Sequence, residues 1–88
     1  MKVKVEKRNG EIENYNPDKI IKVAVASGLT KKNAEVLAGK ISKWVEKRNK
    51  AQVTTIQIRD RMIVEMQKIN KRAADKFIWY EKLKDKHY

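Results

Sequence analysis

Residues 2–7, Lys-Val-Lys-Val-Glu-Lys, alternate polar and apolar with the period of a half-buried strand. Asn9-Gly10 follows, and Ile12 resumes beyond it, so residues 2–15 read as a β-hairpin. A two-residue type I′ turn at Asn9-Gly10 pairs Lys7 with Ile12 and Val5 with Asn14. Val3, Val5 and Ile12 then share the face that can pack on helices, while Glu6 stands opposite Glu13, an unfavourable like-charge pair. A bulged three-residue turn shifts that register and suits the same residues.

Past the hairpin the period becomes helical. Asn16-Pro17-Asp18 is a helix start: Asn caps, Pro fits the first turn, and Asp suits the positive end of the dipole. Ile20, Ile21, Val23, Ala24 and Val25 predict a helix at about 17–27 that is buried over most of its surface. Ser27-Gly28 ends it, with Gly as the left-handed cap. Thr30 caps a second helix, about 31–48, whose stripe is Ala34, Leu37, Ala38, Ile41, Trp44 and Val45. Asn49 to Gln52 form a polar connection. Thr54 with Gln57 three residues on makes a capping box for a third helix, about 55–70, with Ile58, Met62, Ile63, Met66 and Ile69 inward. A fourth helix, about 72–84, offers Ala73, Ala74, Phe77, Ile78 and Tyr80 to the core, and the tail from Lys84 to Tyr88 frays. The fold class is mainly α with a small N-terminal β-hairpin, a hairpin-capped four-helix bundle in one domain of 88 residues.

Composition sharpens this outline. Two Trp, three Tyr and one Phe can anchor the modest core that a chain of this size allows. The chain has no cysteine, which excludes disulfides and thiolate metal sites. No apolar run nears the roughly 20 residues needed to span a bilayer, and the charged start MKVKVEK is unlike a signal peptide. The expected location is cytoplasmic. The net charge of +11, from 22 Lys and Arg against 11 Asp and Glu, attracts polyanions of any kind.

Catalytic chemistry has little to work with. His87 is the one histidine and lies beside the C-terminal Tyr88, a poor place for a general base. The acidic residues are scattered, and neither GxxxxGK[ST] nor GxGxxG occurs. Trp44, Trp79 and the methionines read as core, and the caps need no ligand to explain them.

The string V-x-K-R-N-G-x-x-E-x-x-N-x-x-K-I, from Val5 to Ile20, resembles the opening of the ATP-cone domain. That domain occurs in many ribonucleotide reductases, in the repressor of their genes and in some archaeal 2-phosphoglycerate kinases. The order hairpin, helix, helix, V-x-x-x-x-I at the third helix and a late aromatic helix extends the likeness over the whole chain. The resemblance implies a nucleotide site. Lys7 and Arg8 would face phosphate, Lys19 would join them at the first helical turn, and Asn16 precedes that helix. Glu13 would face the base–ribose side, with Val5 and Ile20 flanking an adenine ring. Thr55 matches a family Thr at the third helix, and Arg59 stands where the family carries a polar residue such as Asp or His. The family often ends in an aromatic-Arg pair. Here Glu81 follows Trp79-Tyr80, and Lys82 is the candidate to replace a phosphate-contacting Lys.

The implied ligand is ATP or dATP, with Mg2+ as its candidate companion ion. The implied function is a free-standing regulatory module, not an enzyme, that acts through a protein partner or a homo-oligomer. The rival is a small basic nucleic-acid-binding protein using Arg59, Arg61, Lys68, Lys71 and Arg72 around the third helix. A ligand-free adaptor is the third reading.

Overall fold

The computed structural model describes residues 3–85, with side chains through Leu83. His87 lies outside the described residues. The elements run β1 (Lys4–Glu6), β2 (Ile12–Asn14), α1 (Pro17–Ala26), α2 (Lys31–Lys47), β3 (Gln52–Thr54), α3 (Thr55–Ile69) and α4 (Lys71–Asp85). The fold is mainly helical with a small sheet at the N-terminal end. No helix among the described residues is long and apolar enough to cross a membrane.

The hairpin takes the bulged turn rather than the two-residue one. Gly10 N–H donates to the Lys7 carbonyl at 3.0 Å, and Lys7 N–H donates to the Glu11 carbonyl at 2.8 Å. Gly10 sits at φ +88°, a conformation that glycine adopts without a Cβ clash. Asn9 therefore serves the loop differently: its side-chain oxygen accepts from Glu11 N–H at 3.0 Å. The register becomes Val5 opposite Glu13 and Glu6 opposite Ile12. This corrects the two-residue expectation in three ways. Ile12 turns to solvent at 51% exposure. The Glu6–Glu13 opposition disappears. Glu13 now shares the face of Val5, since residues directly opposite in a sheet project to the same side.

The sheet has a third strand where a plain connection was expected. β3 pairs in parallel with β1, giving the order β2-β1-β3. Val53 is its one buried residue and joins Val3 and Val5 in the core.

The helix starts are locally written. Asn16 Oδ1 accepts from Asp18 N–H at 3.0 Å, and Thr30 Oγ1 accepts from Asn33 N–H at 3.1 Å. Thr54 and Gln57 close a reciprocal capping box, at 3.1 and 3.0 Å. Asn70, between α3 and α4, accepts from Ala73 N–H at 3.2 Å.

Packing departs from the sequence pattern on two helices. In α1 only Ile20 and Ala24 are buried, while Val23 and Val25 are exposed. One face of this short helix meets α2 and, more lightly, α4, and among the described residues Val23 and Val25 on the other stay exposed. In α4, Ala73, Ala74 and Phe77 are buried, but Tyr80 is exposed and Trp79 is 58% exposed. The core is built instead around Leu37, Ile41 and Val45 of α2 and Met62 and Met66 of α3. Trp44 packs at its edge.

Candidate functional site

Four pieces of chain meet at one corner: the β1–β2 face, the start of α1, the start of α3 and the middle of α4. Between them lies an open pocket of about 300 Å³. Its floor is apolar, formed by Val5, Ile20, Ile58, Met62 and Phe77. Lys7, Glu13 and Lys19 line it on one side, and Thr55, Arg59 and Glu81 also contribute. Asn16 and Tyr15 complete the lining near α1.

The hairpin register decides what this rim holds. Because Glu13 lies opposite Val5, its carboxylate projects over the pocket. There it accepts a hydrogen bond from Lys19 Nζ at 2.8 Å and pairs with Lys7 Nζ at 3.7 Å. The Lys19 hydrogen bond holds the Glu13 carboxyl below its ordinary value. Partial desolvation opposes that shift, and the Lys19 and Lys7 charges reinforce it. One carboxylate thus gathers two ammonium groups at the pocket edge, where both remain solvent-accessible.

Arg8 does not line the pocket, but it reaches one of the lining residues. Its guanidinium pairs with Glu81 at 3.4 Å, tying the hairpin turn to α4. Arg59 pairs with its neighbour Asp60 at 3.0 Å. The starts of α1 and α3 border the pocket through Asn16 and Thr55, and although their caps occupy N–H groups of the first turn, the positive ends of the two dipoles favour an anion. Tyr15 directs its hydroxyl away from the rim to Ser42 Oγ, at 2.8 Å. Burial raises the Tyr15 pKa, so the hydroxyl stays protonated.

Of the residues singled out from sequence, Val5, Lys7, Glu13, Asn16, Lys19, Ile20, Thr55 and Arg59 meet around this one pocket. Lys82 does not line it and is exposed on α4. Sequence reasoning missed Tyr15, Ile58 and Met62 as lining, and treated Phe77 only as core. It noted Glu81 as a departure from the family pattern but gave it no place in the site. Helical spacing from Thr55 and Arg59 would have found Ile58 and Met62, since residues three and four apart share a face. Glu81 carries no local signal of its own.

Chemically the arrangement combines lysine ammonium groups and two helix N-termini with an apolar floor. Such a pocket is suited to an amphipathic anion, on a mainly helical domain with a small sheet. The chain matches the ATP cone domain model over residues 3–86 and belongs to that family. ATP cones are regulatory domains that bind ATP and dATP as effectors. Compared with curated proteins, the chain finds no match.

Proposed function

We propose that this ATP cone is a regulatory module that takes ATP or dATP in the pocket and acts on a partner protein or a second copy of itself. Lys7 and Lys19 turn from Glu13 to phosphate, and Arg8 exchanges Glu81 for phosphate. The N-termini of α1 and α3, with Thr55 and Arg59, support the same anionic end. Val5 and Ile20 flank the base, and Glu13 accepts hydrogen bonds from the nucleoside. Mg2+ accompanies the phosphates. Lys82 contributes only if α4 turns its exposed side inward. The protein is a binding module rather than an enzyme, and its effect on a partner follows from different affinities for ligand in two states.

The observation that carries this reading is the convergence itself. Residues far apart in sequence, from Val5 to Arg59, line one pocket with cations above an apolar floor. Nucleotide-sized ligands commonly occupy clefts from about 300 Å³ upward. Thermal melts and calorimetry with ATP, dATP, GTP and inorganic triphosphate test it. A ligand at 100 times its Kd stabilises by about 2.7 kcal/mol, which for a domain of this size is a rise of about 10 °C or more in Tm. ATP or dATP should exceed inorganic triphosphate clearly. Equal effects from ATP and triphosphate would mean that the pocket reads phosphate alone.

A further inference from the structure

On another part of the molecule, two arginines from different helices lie over one indole ring. Arg48, at the end of α2, has its guanidinium carbon 5.1 Å from the centre of the Trp44 ring. Arg61, from α3, stands 6.0 Å from the same centre. Stacking on an indole restrains a guanidinium while leaving its in-plane donors able to reach out. Arg48 also donates to Gln57 Oε1 at 3.5 Å. These contacts set α2 and α3 side by side and antiparallel, with residue 48 near 57 and residue 44 near 61.

By helical spacing the same alignment puts Lys40, one turn before Trp44, level with Glu65. Glu65 is buried, and it pairs with Arg61 at 3.6 Å and with Lys68 at 3.4 Å. Lys40 and Lys47 are exposed and lie within one turn of Trp44 on its face of α2. Five cations thus border this seam, and the carboxylate that pairs with two of them, Arg61 and Lys68, is sunk beneath the surface. The acids of α2, Glu35 and Glu46, fall on the opposite side from Trp44 by helical spacing; Glu46 acts electrostatically on Tyr15. Asp60 is held by Arg59, which lines the nucleotide pocket. Arg61 keeps one unmet need: its Nε–H is a buried donor without an acceptor among the described residues.

We propose that this α2–α3 face binds the phosphodiester backbone of a nucleic acid, at a site separate from the pocket. Charge complementarity selects the occupant. From Lys40 to Arg48 the cations follow about 12 Å of helix, too long for one phosphate group but matched to a duplex carrying a charge about every 1.7 Å. Arg48 and Arg61 supply planar forks suited to phosphate oxygens, and the lysines add point charge. The face is assigned to backbone rather than base contact, because its cations lie along a seam between two packed helices. Of the five basic residues expected from sequence around α3, Arg61 and Lys68 belong to it. Trp44, Arg48, Lys40 and Lys47 of α2 are the additions.

The test is fluorescence anisotropy with a labelled 20-base-pair duplex across a salt series. Arg48→Gln/Arg61→Gln is compared with Lys31→Gln/Lys32→Gln, which removes equal charge at the start of α2. The arginine pair should weaken binding about tenfold and lower the salt slope by about 2, since each phosphate contact contributes about 0.9. The lysine pair should change binding no more than about threefold, and saturating ATP should leave the duplex bound. If the glutamine variant does not fold, Arg48→Lys/Arg61→Lys should keep the salt slope yet bind several-fold more weakly. In Trp79→Phe, Trp44 is the only tryptophan, and duplex should change its emission. Equal losses in the two pairs, displacement by ATP, or unchanged Trp44 emission would each overturn the proposal. So would heparin binding as tightly with the same dependence on Arg48 and Arg61.

Discussion

Replacing Glu13 with alanine sets two effects of opposite sign against each other. The residue accepts from Lys19 at 2.8 Å and pairs with Lys7 at 3.7 Å, so its removal frees two cations beside the pocket. Simple electrostatics then predicts tighter binding of any anion. Each such pair is partly solvent-exposed and worth about 0.2–1 kcal/mol, the longer Lys7 pair at the low end, so the gain is about 1 kcal/mol, or about fivefold in Kd. If Glu13 accepts from the nucleoside, its removal also deletes a hydrogen bond to a charged group, worth about 1.5–3 kcal/mol. The loss exceeds the gain, and the net is about tenfold weaker ATP binding. Calorimetry at pH 7.5 measures it directly, and inorganic triphosphate provides the control. Triphosphate should bind Glu13→Ala as well as or better than the parent, because it has no nucleoside to lose. ATP affinity that is unchanged or improved in Glu13→Ala would refute the nucleoside role and reduce the pocket to an attractive surface.

Three further outcomes are expected. Lys19→Ala should weaken ATP about tenfold by removing a charge-assisted contact, yet leave Tm nearly unchanged without ligand because the side chain is 59% exposed; a large drop in Tm would show a structural role instead. Glu13 has a folded pKa below its ordinary 4.5, so its stabilising effect is present above that value and fades as pH falls through the lowered one. Acid melts should accordingly show a smaller loss of Tm below pH 4.5 for Glu13→Gln than for the parent, and parallel curves would deny the linkage. Thr54→Ala opens the capping box of α3 and should cost about 1 kcal/mol, read as about 4–8 °C in Tm, with no fall if the cap is idle.

Local chemistry was legible and distant pairing was not. The caps Asn16, Thr30 and Thr54 could be read because each is completed within three residues. The turn at Asn9-Gly10 was legible as a turn but not in its register. Both loops use the same residues, and they differ in whether Ile12 or Glu13 shares the face of Val5. β3 escaped because three residues show no period and its partner, β1, lies across two helices. Ile20 to Val25 gave no stripe to orient, so the exposed side of α1 could not be seen. Most of the pocket-lining positions came from strand ends and helix starts, where family spacing is tight. Glu81 depends on where the last helix comes to rest against the first turn, and no local pattern encodes that.

The central place of β1 bears on how the molecule assembles. It joins β2 through a short local turn, but it joins β3 only after α1 and α2 have folded back across the intervening chain. A parallel pairing of this kind closes a long loop, and its entropy cost falls before its contacts are made. Three-stranded order is therefore expected to come late in folding, after the α1–α2 pair, and the hairpin alone is too short to persist. Val5 and Glu13 stand on one side of that late step, and Thr55 and Arg59 follow directly on its other side. A nascent chain that has not yet released β3 and α3 holds only part of the pocket lining, on an unsecured ribbon, so the pocket waits on completion of the fold.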